Sequence, residues 1–101
     1  MSKMKLPPVS EIASLIKSLK RDIGDDYRAD EESTTPSMQV TIGVDPSTGA
    51  WSYQTGDNSY TGGAYGFHYW GVTAIDRRSN SREIAKYLLD EVAEQASFEF
   101  E

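Results

Sequence analysis

The spacing of apolar residues near the start of the chain predicts a helix. Apolar side chains recur at three- and four-residue steps from Val9 to Ile23, which is typical of an amphipathic helix. Two prolines precede this segment, Ser10 is placed to cap it, and Gly24 follows as a C′ residue. The pattern therefore predicts a first helix over about 9–23.

Three later segments alternate between apolar and polar residues with period two. This alternation predicts strands over about 38–44, 50–55 and 69–75. The residues 45–49 between the first two strands have proline early and glycine late, as turns do. The first two strands are therefore expected to form a hairpin.

The register of that hairpin is left open by the sequence. Pairing Val44 with Trp51 would place Trp51 and Tyr53 on the apolar face of the sheet. Pairing Val44 with Ala50 would place both aromatic residues on the opposite face, because a slip by one residue reverses every side chain.

A second helix is predicted over about 80–97. Asn80 and Glu83 have the spacing of a capping box, and a wide apolar stripe follows them. The acidic, aperiodic residues 25–37 are interpreted as a linker rather than a metal site. The order α-β-β-β-α over a single domain, 1–101, predicts a two-layer α+β sandwich: a three-stranded antiparallel meander with two helices on one face.

Composition excludes several classes of function. The 101 residues include ten Lys and Arg, sixteen Asp and Glu, one His and no Cys, with a net charge of −6. This excludes disulfide-stapled modules and thiolate metal sites, and it disfavours indiscriminate binding to polyanions. No apolar run reaches the length of a membrane helix and no secretory signal is evident, so we expect a cytoplasmic protein without membrane contact.

Seven of the eleven aromatic residues lie between positions 51 and 70, around a glycine-rich segment. They could fill the core, form a recognition surface for a protein partner, or serve self-association. The recognition hypothesis makes the chain a non-enzymatic binding or adaptor module that uses this loop and the open sheet face. Its partner-binding candidates are Trp51, Tyr53, Tyr60, Tyr65, Phe67, His68 and Tyr69.

A hydrolase-like enzyme is the third hypothesis, because His68 shares a loop with Asp57 and Ser59. No nucleophile elbow, Walker loop or dinucleotide fingerprint accompanies them. We therefore expect no catalytic residues, no metal and no cofactor.

Two resemblances to known proteins are visible in the chain. The α-β-β-β-α order and the segment Ser81–Lys86 resemble the double-stranded-RNA-binding domain, whose last helix starts with phosphate-gripping basic residues. The resemblance implies, as the alternative function, binding of duplex RNA or another nucleic acid through Arg77, Arg78, Arg82 and Lys86. Separately, the segment 55–65 looks similar to short uncharacterised bacterial proteins of cyanobacterial or phage type.

Overall fold

The computed structural model of the chain describes residues 4–26, 37–55, 67 and 69–100. They form two helices and a three-stranded antiparallel sheet, which confirms the α+β class. The elements are α1 (Val9–Asp26), β1 (Ser37–Asp45), β2 (Ala50–Thr55), β3 (Tyr69–Asp76) and α2 (Ser81–Phe100). Of the predicted acidic linker, positions 25 and 26 belong to α1, position 37 belongs to β1, and 27–36 lie outside the described residues.

Helix α1 begins where predicted and ends later. The carbonyl of Pro8 accepts hydrogen bonds from the amides of Glu11 and Ile12, so Pro8 occupies the cap position expected for Ser10. The helix continues through Gly24 to Asp26, and the prediction that Gly24 terminates it is wrong. The apolar residue Ile23, fully buried just before it, carries the core-facing stripe into this last turn.

The turn between β1 and β2 closes the predicted hairpin. The carbonyl of Asp45 accepts hydrogen bonds from the amides of Thr48 and Gly49. Gly49 has φ +85°, a left-handed conformation that glycine adopts without a steric penalty. The amide of Lys5 donates to the carbonyl of Pro46, which ties the segment before α1 to this turn.

The strand order is β2-β1-β3, so the prediction of a meander is wrong in its strand order. A meander would place β2 in the centre, whereas β1 is central and pairs antiparallel with both neighbours. The reason lies in side-chain polarity. Residues 38–44 of β1 are all buried or half-buried, as a central strand requires, whereas Ser52, Gln54 and Thr55 make β2 suited to an edge. The thirteen residues between β2 and β3 exceed a hairpin loop, so chain length does not force these strands to pair.

The register resolves the ambiguity about the first two strands. Val44 pairs with Trp51 on β2 and with Tyr69 on β3. Because directly paired residues of antiparallel strands share a face, Trp51 and Tyr69 lie on the same face as Val44. That face is the one covered by the helices, since Val44 is fully buried in the core.

The core lies between this face and the two helices. Alternate residues of β1, one stripe of each helix and Ile75 of β3 form it. Helix α2 approaches β3 so closely at Gly71 that a Cβ atom there would lie 2.6 Å from the carbonyl oxygen of Leu88. The core residues of the strands and helices are Ile12, Ile16, Leu19, Ile23, Met38, Val40, Ile42, Val44, Ile75, Ala85, Leu88, Leu89 and Val92.

Helix α2 starts as its capping signal predicts. The Oδ1 atom of Asn80 accepts a hydrogen bond of 3.0 Å from the amide of Glu83, and the Asn80 carbonyl accepts from Ile84. The turn before it is held by Asp76, whose Oδ1 atom accepts from the amide of Arg78 at 2.8 Å. The helix ends at Phe100, about one turn beyond the predicted boundary.

Candidate functional site

The helix-facing side of the sheet carries three of the predicted partner-binding residues. Trp51, Tyr53 and Tyr69 pair with Val44 and Ile42 on that side. The hypothesis that these residues line the open face is therefore corrected, because the register places them toward the helices. Trp51 and Tyr69 are half-buried and pack against the core.

Trp51 is held in place from helix α1. Its Nε1 atom donates a hydrogen bond of 2.5 Å to Oε1 of Glu11. The ring centroid of Trp51 lies 6.5 Å from that of Tyr53, with the planes tilted by 39°. Tyr53 is 40% exposed at the margin of the sheet, so it is the one member of this pair that offers a large accessible surface.

The opposite face of the sheet carries an aromatic residue that was not among the predicted site residues. Trp70 pairs with Gly43, and Val72 pairs with Thr41, on the side away from the helices. Both side chains are half-buried, and Thr41 in the middle of this face is only 6% exposed. The signal was present in the sequence: Tyr69 and Trp70 are adjacent, so one of them must face each side of the sheet.

The free edge of β3 is capped by the side chain of Gln95 on α2. The amide of Trp70 donates to Oε1 of Gln95 at 3.2 Å, and Nε2 of Gln95 donates to the carbonyl of Trp70 at 2.5 Å. A primary amide thus supplies the donor and acceptor that a neighbouring strand would supply. This contact satisfies the backbone at one end of the strand.

A second side chain of α2 continues this capping. The amide of Val72 donates to Oε1 of Glu91 at 3.0 Å. Glu91 and Gln95 are one helical turn apart, so they lie on the same side of α2 and reach two successive outward amides of the strand. Capping by side chains in this way protects an edge strand from pairing with another chain.

The free edge of β2 has no such cover among the described residues. The amides of Trp70 and Val72 point away from β1, so the other residues of β3, at positions 69, 71, 73 and 75, form its hydrogen bonds to β1. Their partners are the even-numbered residues 38–44 of β1. The remaining residues of β1 bond to β2 in turn. The backbone groups of Trp51, Tyr53 and Thr55 therefore point outward, to a free edge that no described strand or side chain pairs.

One end of the molecule gathers the two basic zones of the sequence. Nζ of Lys20 on α1 donates to the carbonyl of Ser79 in the turn before α2. This bond joins the helix bearing Lys17 and Arg21 to the predicted nucleic-acid site. All four residues of that site, Arg77, Arg78, Arg82 and Lys86, are exposed.

Several predicted residues lie outside the part of the chain that the structure describes. These are Tyr60, Tyr65 and His68 of the recognition hypothesis, and Asp57 and Ser59 of the hydrolase hypothesis. Phe67 is described and is half-buried. Within the described ranges, no group of three or more His, Asp or Glu side chains is placed to hold a metal ion.

Comparison with protein-family models, with curated proteins and with solved structures gives no match for this chain. Among the described residues, neither helix combines the length and the apolar character needed to cross a membrane.

Proposed function

We propose that this chain is a non-enzymatic, cytoplasmic protein-binding module that receives a partner strand at the free edge of β2. The observation that carries the proposal is that side chains bond to the outward backbone groups of one sheet edge and not, among the described residues, to those of the other. Gln95 and Glu91 bond to outward backbone groups of β3 at Trp70 and Val72, whereas no described side chain bonds to the outward backbone groups of β2. Addition of a strand to an exposed edge is a recurring mode of protein recognition.

The side chains of β2 suit this role. The strand Ala50–Thr55 contains no charged residue and no proline, which are devices that usually block an edge. Tyr53 stands at its centre with 40% of its surface exposed and its ring beside that of Trp51. Tyrosine and tryptophan give large, fairly rigid contact area at protein interfaces.

Site-specific photo-crosslinking tests this function. A photoreactive phenylalanine analogue replaces Tyr53 in one variant and Tyr87 in the control, because Tyr87 is a similarly exposed tyrosine, 49% exposed, on helix α2. In the cells that make the chain, we expect a crosslinked polypeptide from position 53 and none from position 87. No crosslink at position 53, or equal crosslinking at both positions, would show that the β2 edge binds no protein.

A second candidate function is nucleic-acid binding at the basic end of the molecule. The hydrogen bond from Lys20 to Ser79 favours it, because it brings one basic side chain of α1 to the turn that carries the exposed Arg77 and Arg78. Glu83 and Asp22 are exposed in the same elements, so the positive potential is local rather than general. The resemblance to the double-stranded-RNA-binding domain points to the same residues.

This candidate is tested with a labelled RNA duplex and micromolar protein at low salt. Binding should weaken steeply with added salt, and Arg82→Ala should reduce the slope of log K against log salt by about 1 for each lost phosphate contact. Lys5→Ala is the control, because Lys5 is an exposed base beside the β1–β2 turn. Absence of any complex at low salt would exclude this function.

A further inference from the structure

The outward backbone groups along the free edge of β2 have the same spacing when the strand is rotated by half a turn to run antiparallel to itself. Its outward backbone groups belong to Trp51, Tyr53 and Thr55, which are evenly spaced on either side of Tyr53. An antiparallel partner with the same spacing would meet each outward donor and acceptor with its complement. The edge is therefore self-complementary about an axis through Tyr53.

We propose that the partner strand at this edge is β2 of a second copy of this chain. The inference rests on the proposed function, since it names the occupant of the same edge. In the paired state, Tyr53 lies opposite Tyr53 of the second copy, and Trp51 lies opposite Thr55 of the second copy. A two-fold axis of this kind is the commonest symmetry of soluble oligomers.

The distribution of charge favours β2 over the charged surfaces of the chain as the place where two copies meet. The net charge of −6 makes two copies repel each other on average, but β2 itself brings no charged residue to the contact. Two acidic groups of the described residues beside β2 already accept hydrogen bonds: Glu11 accepts from Trp51, and Asp45 accepts from the amide of Ser47 at 2.9 Å. Pairing at β2 thus joins two acidic chains through a strand that carries no charge of its own.

The capped edge of β3 explains why such pairing would stop at two copies. Joining two β2 strands gives a six-stranded sheet in the order β3-β1-β2-β2-β1-β3. Both outer edges are then β3, in which α2 bonds to the amide and carbonyl of Trp70 and to the amide of Val72. A sheet with one open and one capped edge closes as a dimer and does not extend into a fibre.

Sedimentation equilibrium of the full chain, from micromolar to submillimolar concentration, measures this association. We expect a monomer–dimer equilibrium in the wild type. Tyr53→Lys places two like charges beside the axis and should weaken dimerisation at least about tenfold. Tyr87→Lys adds the same charge at an exposed tyrosine of α2 and should leave the dimer unchanged.

Thr55→Pro provides a second test that adds no charge. It removes one outward amide that pairing would use, while the hydrogen bonds between β2 and β1 stay available. It should also weaken the dimer, and circular dichroism of each variant verifies that the fold is retained. If dimerisation is insensitive to both folded variants, the second copy binds elsewhere and the inference is wrong.

The failure of this inference is distinguishable from failure of the proposed function. A wild-type chain that stays monomeric at every concentration, yet crosslinks to a different protein from position 53, overturns the second copy and retains the binding module. A monomeric chain with no crosslink from position 53 overturns both.

Discussion

The close packing of the helix layer on the sheet depends on single residues, and Gly71 is the position at which a side chain is least tolerated among the described glycines. It lies under α2, where an added Cβ atom would come within 2.6 Å of the Leu88 carbonyl oxygen. That atom belongs to the helix backbone, so it cannot move aside as a flexible side chain would. The absence of a side chain at Gly71 therefore sets how closely α2 can approach β3, and hence whether Glu91 can reach the strand.

Gly71→Ala should destabilise the protein by about 1–3 kcal/mol, because the helix must shift to admit the methyl group. The shift should also lengthen the bond from Val72 to Glu91 and speed amide exchange at Val72. Gly49→Ala is the comparison: its φ of +85° makes it costly by about 1–2 kcal/mol, but it lies in the distant β1–β2 turn. Faster exchange at Val72 in both variants, or in neither, would contradict this role for Gly71.

At the scale of elements, helix α2 both fills the core and caps a strand. The first role follows from its apolar stripe, and the helix start follows from Asn80 and Glu83, so both were predictable. The second role was not. Glu91 and Gln95 are polar residues of a surface helix, and nothing in sequence spacing distinguishes a side chain bonded to a strand edge from a solvated one.

Removal of the carboxylate that caps Val72 should destabilise the fold. Glu91→Ala leaves the amide of Val72 without its charged acceptor, and we expect a loss of about 1.5–3 kcal/mol in urea unfolding. Glu94→Ala is the matched control, because Glu94 is an exposed acid on the same helix. Equal losses in the two variants would show that the bond to Val72 contributes nothing.

The cap of α2 gives a second prediction at this scale. Asn80→Ala removes the acceptor for the amide of Glu83 and should cost about 1 kcal/mol. Asn80→Asp keeps an oxygen in the same position and should retain most of the stability. The contrary result, equal stability of both variants in thermal unfolding, would mean that the Asn80 side chain does not cap the helix.

At the scale of the whole molecule, the two sheet edges differ: among the described residues, side chains of α2 bond to the β3 edge and none bonds to the β2 edge. The number of strands and both helices could be predicted, because each has a clear apolar period. The strand order could not be predicted, since the long connection after β2 allows β3 to pair with either β1 or β2. The hairpin register was also open, because Ala50 and Trp51 are both compatible with pairing to Val44 until the other strand and the helices select the buried face.

That order decides which surface is offered to other molecules. With β1 in the centre, β2 and β3 become the two edges, and only β3 lies within reach of α2. Of the aromatic residues in this region, those that the structure places in strands divide among the core side, the far face and the β2 edge: Trp51, Tyr53, Tyr69 and Trp70. Tyr53 is the exposed member at that edge, which moves the predicted contact from the open face to the side of the sheet.

Residue-resolved amide exchange, at a concentration at which sedimentation shows the chain to be monomeric, tests this asymmetry most directly. We predict slow exchange at Trp70 and Val72, whose amides are bonded to α2, and fast exchange at the outward amides of Trp51, Tyr53 and Thr55. Protection of the β2 amides equal to that of Trp70 and Val72 would contradict the asymmetry, because both edges would then be closed.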